Sequence, residues 1–169
     1  MNTFKSILFF LVLISLSRLI PHPPHFTPLI AAVIFLPYIL EDKRGILMIP
    51  LAVLLITDYI LGFYQQMLWV YGSIILLSSL SLIFHKKSFI RLLTLSFFAP
   101  SIFFIITNFG VWYGSSIYSQ NTTGFFQCYF NAIPFYANHL ISTVLFSLVF
   151  YVCFRFIKGR NQISSDASY

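Results

Sequence analysis

Apolar runs and polar breaks alternate along the chain. The runs cover about 4–20, 27–40, 46–63, 67–84, 89–107 and 136–157. Pro21 ends the first, Glu41-Asp42-Lys43-Arg44-Gly45 follows the second, and His85-Lys86-Lys87 follows the fourth. Each run reads as a helix. A helix that crosses a bilayer needs about 20 residues, so the second run is a marginal span. Pro50 and Pro100 fall within or near other spans and are expected to kink them.

Charge gives this pattern a direction. With six crossings and a cytoplasmic N-terminus, Lys5, Lys43, Arg44, Lys86, Lys87, Arg91, Arg155, Lys158 and Arg160 all lie inside. Arg18 alone lies near the outer end of its span. Five or seven crossings break that alternation, and an excess of Lys and Arg on the cytoplasmic side is what orients membrane proteins. The expectation is an all-α polytopic membrane protein of six transmembrane helices, N-in and C-in, multi-pass in a bacterial inner (plasma) membrane. Residues 1–157 form its single helical domain, and 158–169 a disordered cytoplasmic tail. A cleaved signal peptide ending near Ser15-x-Ser17 is the competing reading of the first run, and it leaves the same loops outside.

Composition agrees. Of 169 residues, 59% are hydrophobic and only 8% charged, against roughly a quarter charged in soluble domains. The net charge of +6 invites a nucleic-acid reading, but the basic residues come in small groups between apolar runs, so no nucleic-acid partner is expected. Cys128 and Cys153 fall on opposite sides of the membrane in this topology, which argues against a disulfide.

The outer face collects the unusual residues. Residues 18–29 read RLIPHPPHFTPL. The prolines forbid helix continuation and make a rigid link, with Thr27 expected to cap the next helix. Arg18, His22 and His25 ride on that link. Asp58 is the single acidic residue inside a span, costly to bury without a partner, and Arg18 is its most economical ion pair. A stretch from about 108 to 135 contains no Lys, Arg, Asp or Glu and is rich in aromatics, Gly and Asn. It is expected to fold back as an aromatic outer loop capping the bundle.

Chemistry is sparse. The chain has no nucleophile elbow, P-loop or HExxH, and no ionisable relay through the membrane, so neither an enzyme nor a stand-alone pump is expected. His22, His25, His139 and Cys128 share the outer level, a donor set that suits transition metals. A His-x-x-His across two prolines is weak support for a metal, and neutral histidines that cap and hydrogen-bond a loop are the commoner use. No metal and no cofactor is expected.

Three motifs carry a resemblance. They are His22-Pro23-Pro24-x-Phe26-Thr27-Pro28, Asp58 followed by Gly62 and Tyr64, and a segment with Asn108-Phe109-Gly110, Trp112, Cys128-Tyr129 and Ile133-Pro134-Phe135. Together they resemble a family of small uncharacterised bacterial membrane proteins, over about 18–150. The size and six-span layout look like the substrate-binding (S) components of energy-coupling factor transporters. That resemblance implies capture of a vitamin or metal from outside, with a separate coupling protein and ATPases driving uptake. One feature departs from it: the first span has no Ala-x-x-x-Ala of the kind through which many S components dock.

The functional expectation is therefore capture and uptake of a small nutrient, a vitamin or corrinoid, at the outer face. Arg18 and Asp58 would orient a polar group. Trp112, Tyr113, Tyr129 and Phe135 would stack on a ring, and Asn108, Asn131 and Asn138 would hydrogen-bond it. His22, His25, Cys128 and His139 complete the expected rim. The alternative is a structural or assembly protein of the membrane with no small ligand.

Overall fold

A computed structural model describes residues 12, 14–21, 23–84 and 88–166, with side chains through residue 158. His22 and the Lys86-Lys87 pair lie outside the described residues. The described residues are all helical or connecting, with no strand. Helix α1 is described at residues 14–19. Then follow α2 (Leu29–Ile39), α3 (Lys43–Leu61), α4 (Met67–Ile83), α5 (Phe89–Gly114) and α6 (Thr122–Asp166).

Three of these, α3, α5 and the 122–158 part of α6, are long and apolar enough to cross a bilayer. α4 and α2 are shorter apolar helices. The six apolar runs thus all reach helical segments, and among the described residues three helices are long and apolar enough to cross, so the count of six is not confirmed. At 1.5 Å per residue, the 11 residues of α2 span about 16 Å, roughly half of a ~30 Å hydrocarbon core.

α2 is the hub. Leu29 through Tyr38 are all buried, as expected of a helix apolar on every side. It packs against α3, α4, α5 and α6, which in turn touch in the order α3–α4–α5–α6. Ile14 of α1 joins the same core, as do Val53, Leu54, Ile74, Leu92, Phe103 and Phe150. Phe35 stacks on Tyr38 at 5.0 Å and meets Phe150 and Phe154. Between helices in lipid, such close van der Waals packing replaces the hydrophobic drive available in water.

The ends of the elements follow from local chemistry. The Asp42 carboxylate caps α3 by accepting from the backbone N–H groups of Arg44 (3.2 Å) and Gly45 (2.9 Å), the usual service of an acidic N-cap. Gly62 ends α3 at φ 98°, a conformation a side chain rarely adopts. At the other end of the hub, Tyr38 Oη donates to the Ser88 carbonyl at 2.6 Å. Arg91 lies over the Tyr38 ring and donates to the Ser81 carbonyl, so this basic residue binds three helix ends together as well as marking a side.

Two expectations need correction. Residues 108–135 are not a capping loop: 108–114 complete α5 and 122–135 open α6, leaving only 115–121 as a connection. Two of the polar side chains that suggested a loop serve the helices instead. Asn108 Nδ2 donates to the Phe104 carbonyl one turn back (2.8 Å), and Asn121 Oδ1 accepts from the Gly124 N–H at the start of α6 (2.9 Å). The aromatics form the α5–α6 seam, where Phe104 meets both Tyr129 and Tyr136. At the start of α2, Pro28 rather than Thr27 is the N-cap, and no side chain caps the helix. α6 also continues to Asp166, through most of the stretch expected as a disordered tail. The two cysteines are free, Cys128 buried and Cys153 exposed.

Gly110 shows how close the α4–α5 approach is. A Cβ added there would fall 2.2 Å from Trp69 Cγ. Gly110→Ala is therefore expected to destabilise by about 1–3 kcal/mol, the usual cost of overpacking. Thermal unfolding of the detergent-solubilised protein checks this, and an unchanged midpoint would show that Trp69 yields freely.

Candidate functional site

A cavity of about 600 Å³ opens beside the start of α2. The proline link, α5 and α6 build most of it. From α6 come Cys128, Ala132, Phe135 and His139, spaced by four, three and four residues and therefore on one helix face. α5 supplies Phe103, Thr107 and Val111, also on one face, with Phe104 and Asn108 beside them. Arg18, His25, Thr27 and Leu29 contribute from the first link, and Tyr64 and Gln66 from the turn between α3 and α4. The walls are mostly apolar with a few converging polar groups, the usual make-up of a small-molecule site.

The charge at this site is one ion pair. Arg18 Nη2 donates to Asp58 Oδ1, the one salt bridge among the described residues. Asp58 is 1% exposed, whereas the Arg18 side chain keeps 15% and lies on the cavity wall. The carboxylate thus sits behind the guanidinium and does not face the cavity. Tyr64 Oη donates to Asp58 Oδ2 at 3.4 Å. Burial, with the Asp58 charge second, pushes the Tyr64 phenol up to about 12, so it stays a neutral donor. Tyr71 lies by the same carboxylate. The Arg18 Nε is buried without a partner among the described residues.

The rim is formed by the link. His25 takes φ 63°, the left-handed region that costs a residue with a Cβ roughly 1–2 kcal/mol. That conformation turns its ring edge-on to His139, with centroids 4.8 Å apart, and tilted against Phe135 at 5.1 Å. Asn138 Nδ2 holds the link in place by donating to the Pro24 carbonyl at 3.0 Å. Phe103 closes the other side of His139 at 5.1 Å.

The expected site residues therefore divide. Arg18, His25, Asn108, Cys128, Asn131, Phe135 and His139 meet at the cavity. Asp58 supports Arg18 from behind and Asn138 anchors the link. Trp112, Tyr113 and Tyr129 are elsewhere, Trp112 and Tyr129 on the α5–α6 seam and Tyr113 on the α4 side of α5, near Trp69. Trp112 Nε1 donates to the Ser119 carbonyl at 3.1 Å and its ring meets Phe125. Tyr113 stacks on Phe109, and Tyr129 Oη donates to the Ile105 carbonyl at 2.6 Å. Trp112 and Tyr129 hold the 115–121 connection and the seam, and Tyr113 packs between Phe109 and Trp69; none of the three lines the cavity. Among the described residues no group of three or more His, Cys, Asp or Glu could hold a metal ion.

Residues 1–165, which include every part of this cavity, match a single family profile. The chain belongs to DUF6580, a family of unknown function. No curated protein and no solved structure matches it.

In this DUF6580 chain Tyr64, Gln66, Thr107, Tyr118 and Tyr136 also line the cavity, although the sequence pattern did not single them out as binding residues. Tyr64 had a signal, since it follows Asp58 across the turn at Gly62. The α5 and α6 lining had one too, a repeat of three and four residues, which a loop assignment for 108–135 conceals.

The ion pair yields a prediction about stability. Removing one partner of a buried pair leaves the other charge uncompensated and costs about 3–5 kcal/mol, whereas an apolar replacement of both is close to neutral. Asp58→Leu alone should lower the unfolding midpoint strongly, and Arg18→Met with Asp58→Leu should restore most of it. A double-mutant cycle measures the coupling; purely additive effects would show that the pair does not act as a unit.

Proposed function

We propose that this protein captures a small nutrient of the vitamin class at the outer face of a bacterial inner membrane for uptake, in the manner of an energy-coupling factor S component. The single observation that carries this reading is the cavity beside the α2 N-terminus: about 600 Å³, mostly apolar, with Arg18, His25, Asn108 and His139 converging on it. Small-molecule sites run from about 300 to 1,000 Å³ and have this mixture of walls and fixed polar groups. The size favours a vitamin over an intact corrinoid, which is the larger of the two ligands considered.

The proposed topology has six crossings with both termini inside, supported by the placement of Lys43, Arg44, Arg91, Arg155 and Lys158 at one level of the bundle and Arg18 at the other. α2 would complete its crossing together with residues 23–28, which turn over the cavity. The bilayer is the direct partner. Uptake would also require an energising partner, a coupling protein with its ATPases, because the chain carries no phosphate-binding loop of its own.

The test is thermal stability of the purified protein against a panel of vitamins, corrinoids and divalent metals. A ligand at a hundredfold excess over its Kd stabilises the folded state by about 2.7 kcal/mol. One compound should raise the midpoint clearly. Ala132→Trp, which places a large ring on the buried cavity wall, should abolish that shift while the protein still unfolds cooperatively. No shift with any compound, from folded protein, would overturn the reading in favour of a membrane assembly role.

A further inference from the structure

A second concavity adjoins the first. It is a groove on the outer side of the α5–α6 seam, lined by Phe126, Phe130 and Ile133 with Thr123, Gln127 and Tyr129. Phe104 and Asn131 line both the groove and the cavity, so the two spaces share a wall. Both are mostly apolar, but they differ in charge. The groove has no charged residue, and Phe126 and Phe130 are 65% and 73% exposed. The cavity has one guanidinium, Arg18, and no carboxylate on its wall, because Asp58 lies behind Arg18. Arg18 also keeps a buried Nε with no partner among the described residues.

From this juxtaposition we infer that the ligand is an acidic amphiphile: a small molecule with one anionic head, carboxylate or phosphate, and a flexible apolar chain. The inference rests on the receptor reading above and names the substrate class for the same site. The head lies in the cavity against Arg18, where a guanidinium offers several N–H donors in one plane. The chain passes between Phe104 and Asn131 and lies along Phe126, Phe130 and Ile133. Asn131 is suited to that position, since its Nδ2 donates to Tyr118 Oη at 3.4 Å, a long bond that a passing chain need not break. The outward-facing groove also leaves the far end of the chain in contact with lipid, so the ligand reaches the site along the membrane surface.

Calorimetric titration of the full chain in zwitterionic lipid nanodiscs, with empty nanodiscs subtracted, tests this with three probes: decanoate, butyrate and decyltrimethylammonium. Each methylene fully removed from water strengthens binding about fourfold. Decanoate should therefore bind at least tenfold more tightly than butyrate even in a half-open groove, and the cation should not bind. Ile133→Trp, on the exposed face of α6, should reduce decanoate to the affinity of butyrate and leave butyrate unchanged. Equal affinities for the two acids, equal binding of the cation, or indifference to Ile133→Trp would overturn the amphiphile. If none of the three probes binds while a compound of the vitamin panel does, the amphiphile is wrong and the receptor reading stands. If nothing in either set binds, both fall.

Discussion

The length of one buried helix governs the rest. α2 is surrounded on every side, yet its 11 residues cover only about half of the apolar thickness of a bilayer, which α3, α5 and α6 are long enough to cross. α5 and α6 continue past its N-terminus, with 26 and 45 residues respectively. Some volume must remain beside that terminus, and residues 23–28 are too few to fill it. The cavity is this unfilled volume. Its wall includes Thr27 and Leu29 because the hub starts there. A longer hub helix would remove it. Pro23, Pro24 and Pro28 prevent that extension, because none of them can continue a helix as an interior residue.

Polar side chains near this volume need partners, since lipid offers none. Those that find them do so in two ways, while Tyr71 Oη, Ser78 Oγ, Thr143 Oγ1 and Ser147 Oγ are buried without one among the described residues. Ser and Thr side chains within the helices bond back to the preceding turn, as Thr57 does to the Val53 carbonyl and Ser96 to the Leu92 carbonyl. This leaves the helix interfaces narrow without leaving those hydroxyls unsatisfied. Charges have no such local remedy. Asp58 is satisfied by Arg18 and Tyr64, which come from two other parts of the chain. The pair therefore ties α1 to α3 while placing the guanidinium, rather than the carboxylate, toward the open volume. Stability and the polarity of the cavity wall follow from the same contact, because the buried member of the pair decides which charged group lies on that wall.

The sequence made the helices legible and the connections partly so. Apolar runs at 46–63 and 67–84 meet α3 and α4 within a few residues of their ends, because lipid-facing and core-facing positions are equally apolar and the breaks that flank them are polar or charged. The Arg18–Asp58 pair was legible for the same reason: in a chain with so few charges, two opposite ones at one depth have few other options. The 108–135 stretch was not. Gly, Asn and aromatic residues signal a turn in water, where Asn side chains compete for the backbone. Here Gly110 admits Trp69, Gly124 fits against the Ser119 carbonyl where a Cβ would stand 2.0 Å away, and Asn108 bonds within its own helix. Reading these residues as loop formers hid the helical repeat that brings Cys128, Ala132, Phe135 and His139 onto one face. It also assigned Trp112, Tyr113 and Tyr129 to a ligand, whereas Trp112 and Tyr129 pack in the seam and Tyr113 packs near Trp69.

The link at 23–28 shows why rigidity and strain occur together. A flexible connection of that length would let the cavity collapse or the bundle ends separate. Two prolines fix its path, the Asn138 amide fixes its height on α6, and His25 absorbs the remaining mismatch by taking positive φ. A non-glycine residue holds such a conformation only where its surroundings over-determine it, and here His139 and Phe135 do so by packing against the imidazole. Glycine at position 25 would relieve the backbone but lose the ring that closes the rim. The chain instead accepts a local cost at the mouth of the cavity, where a preorganised edge limits what an entering molecule must order for itself.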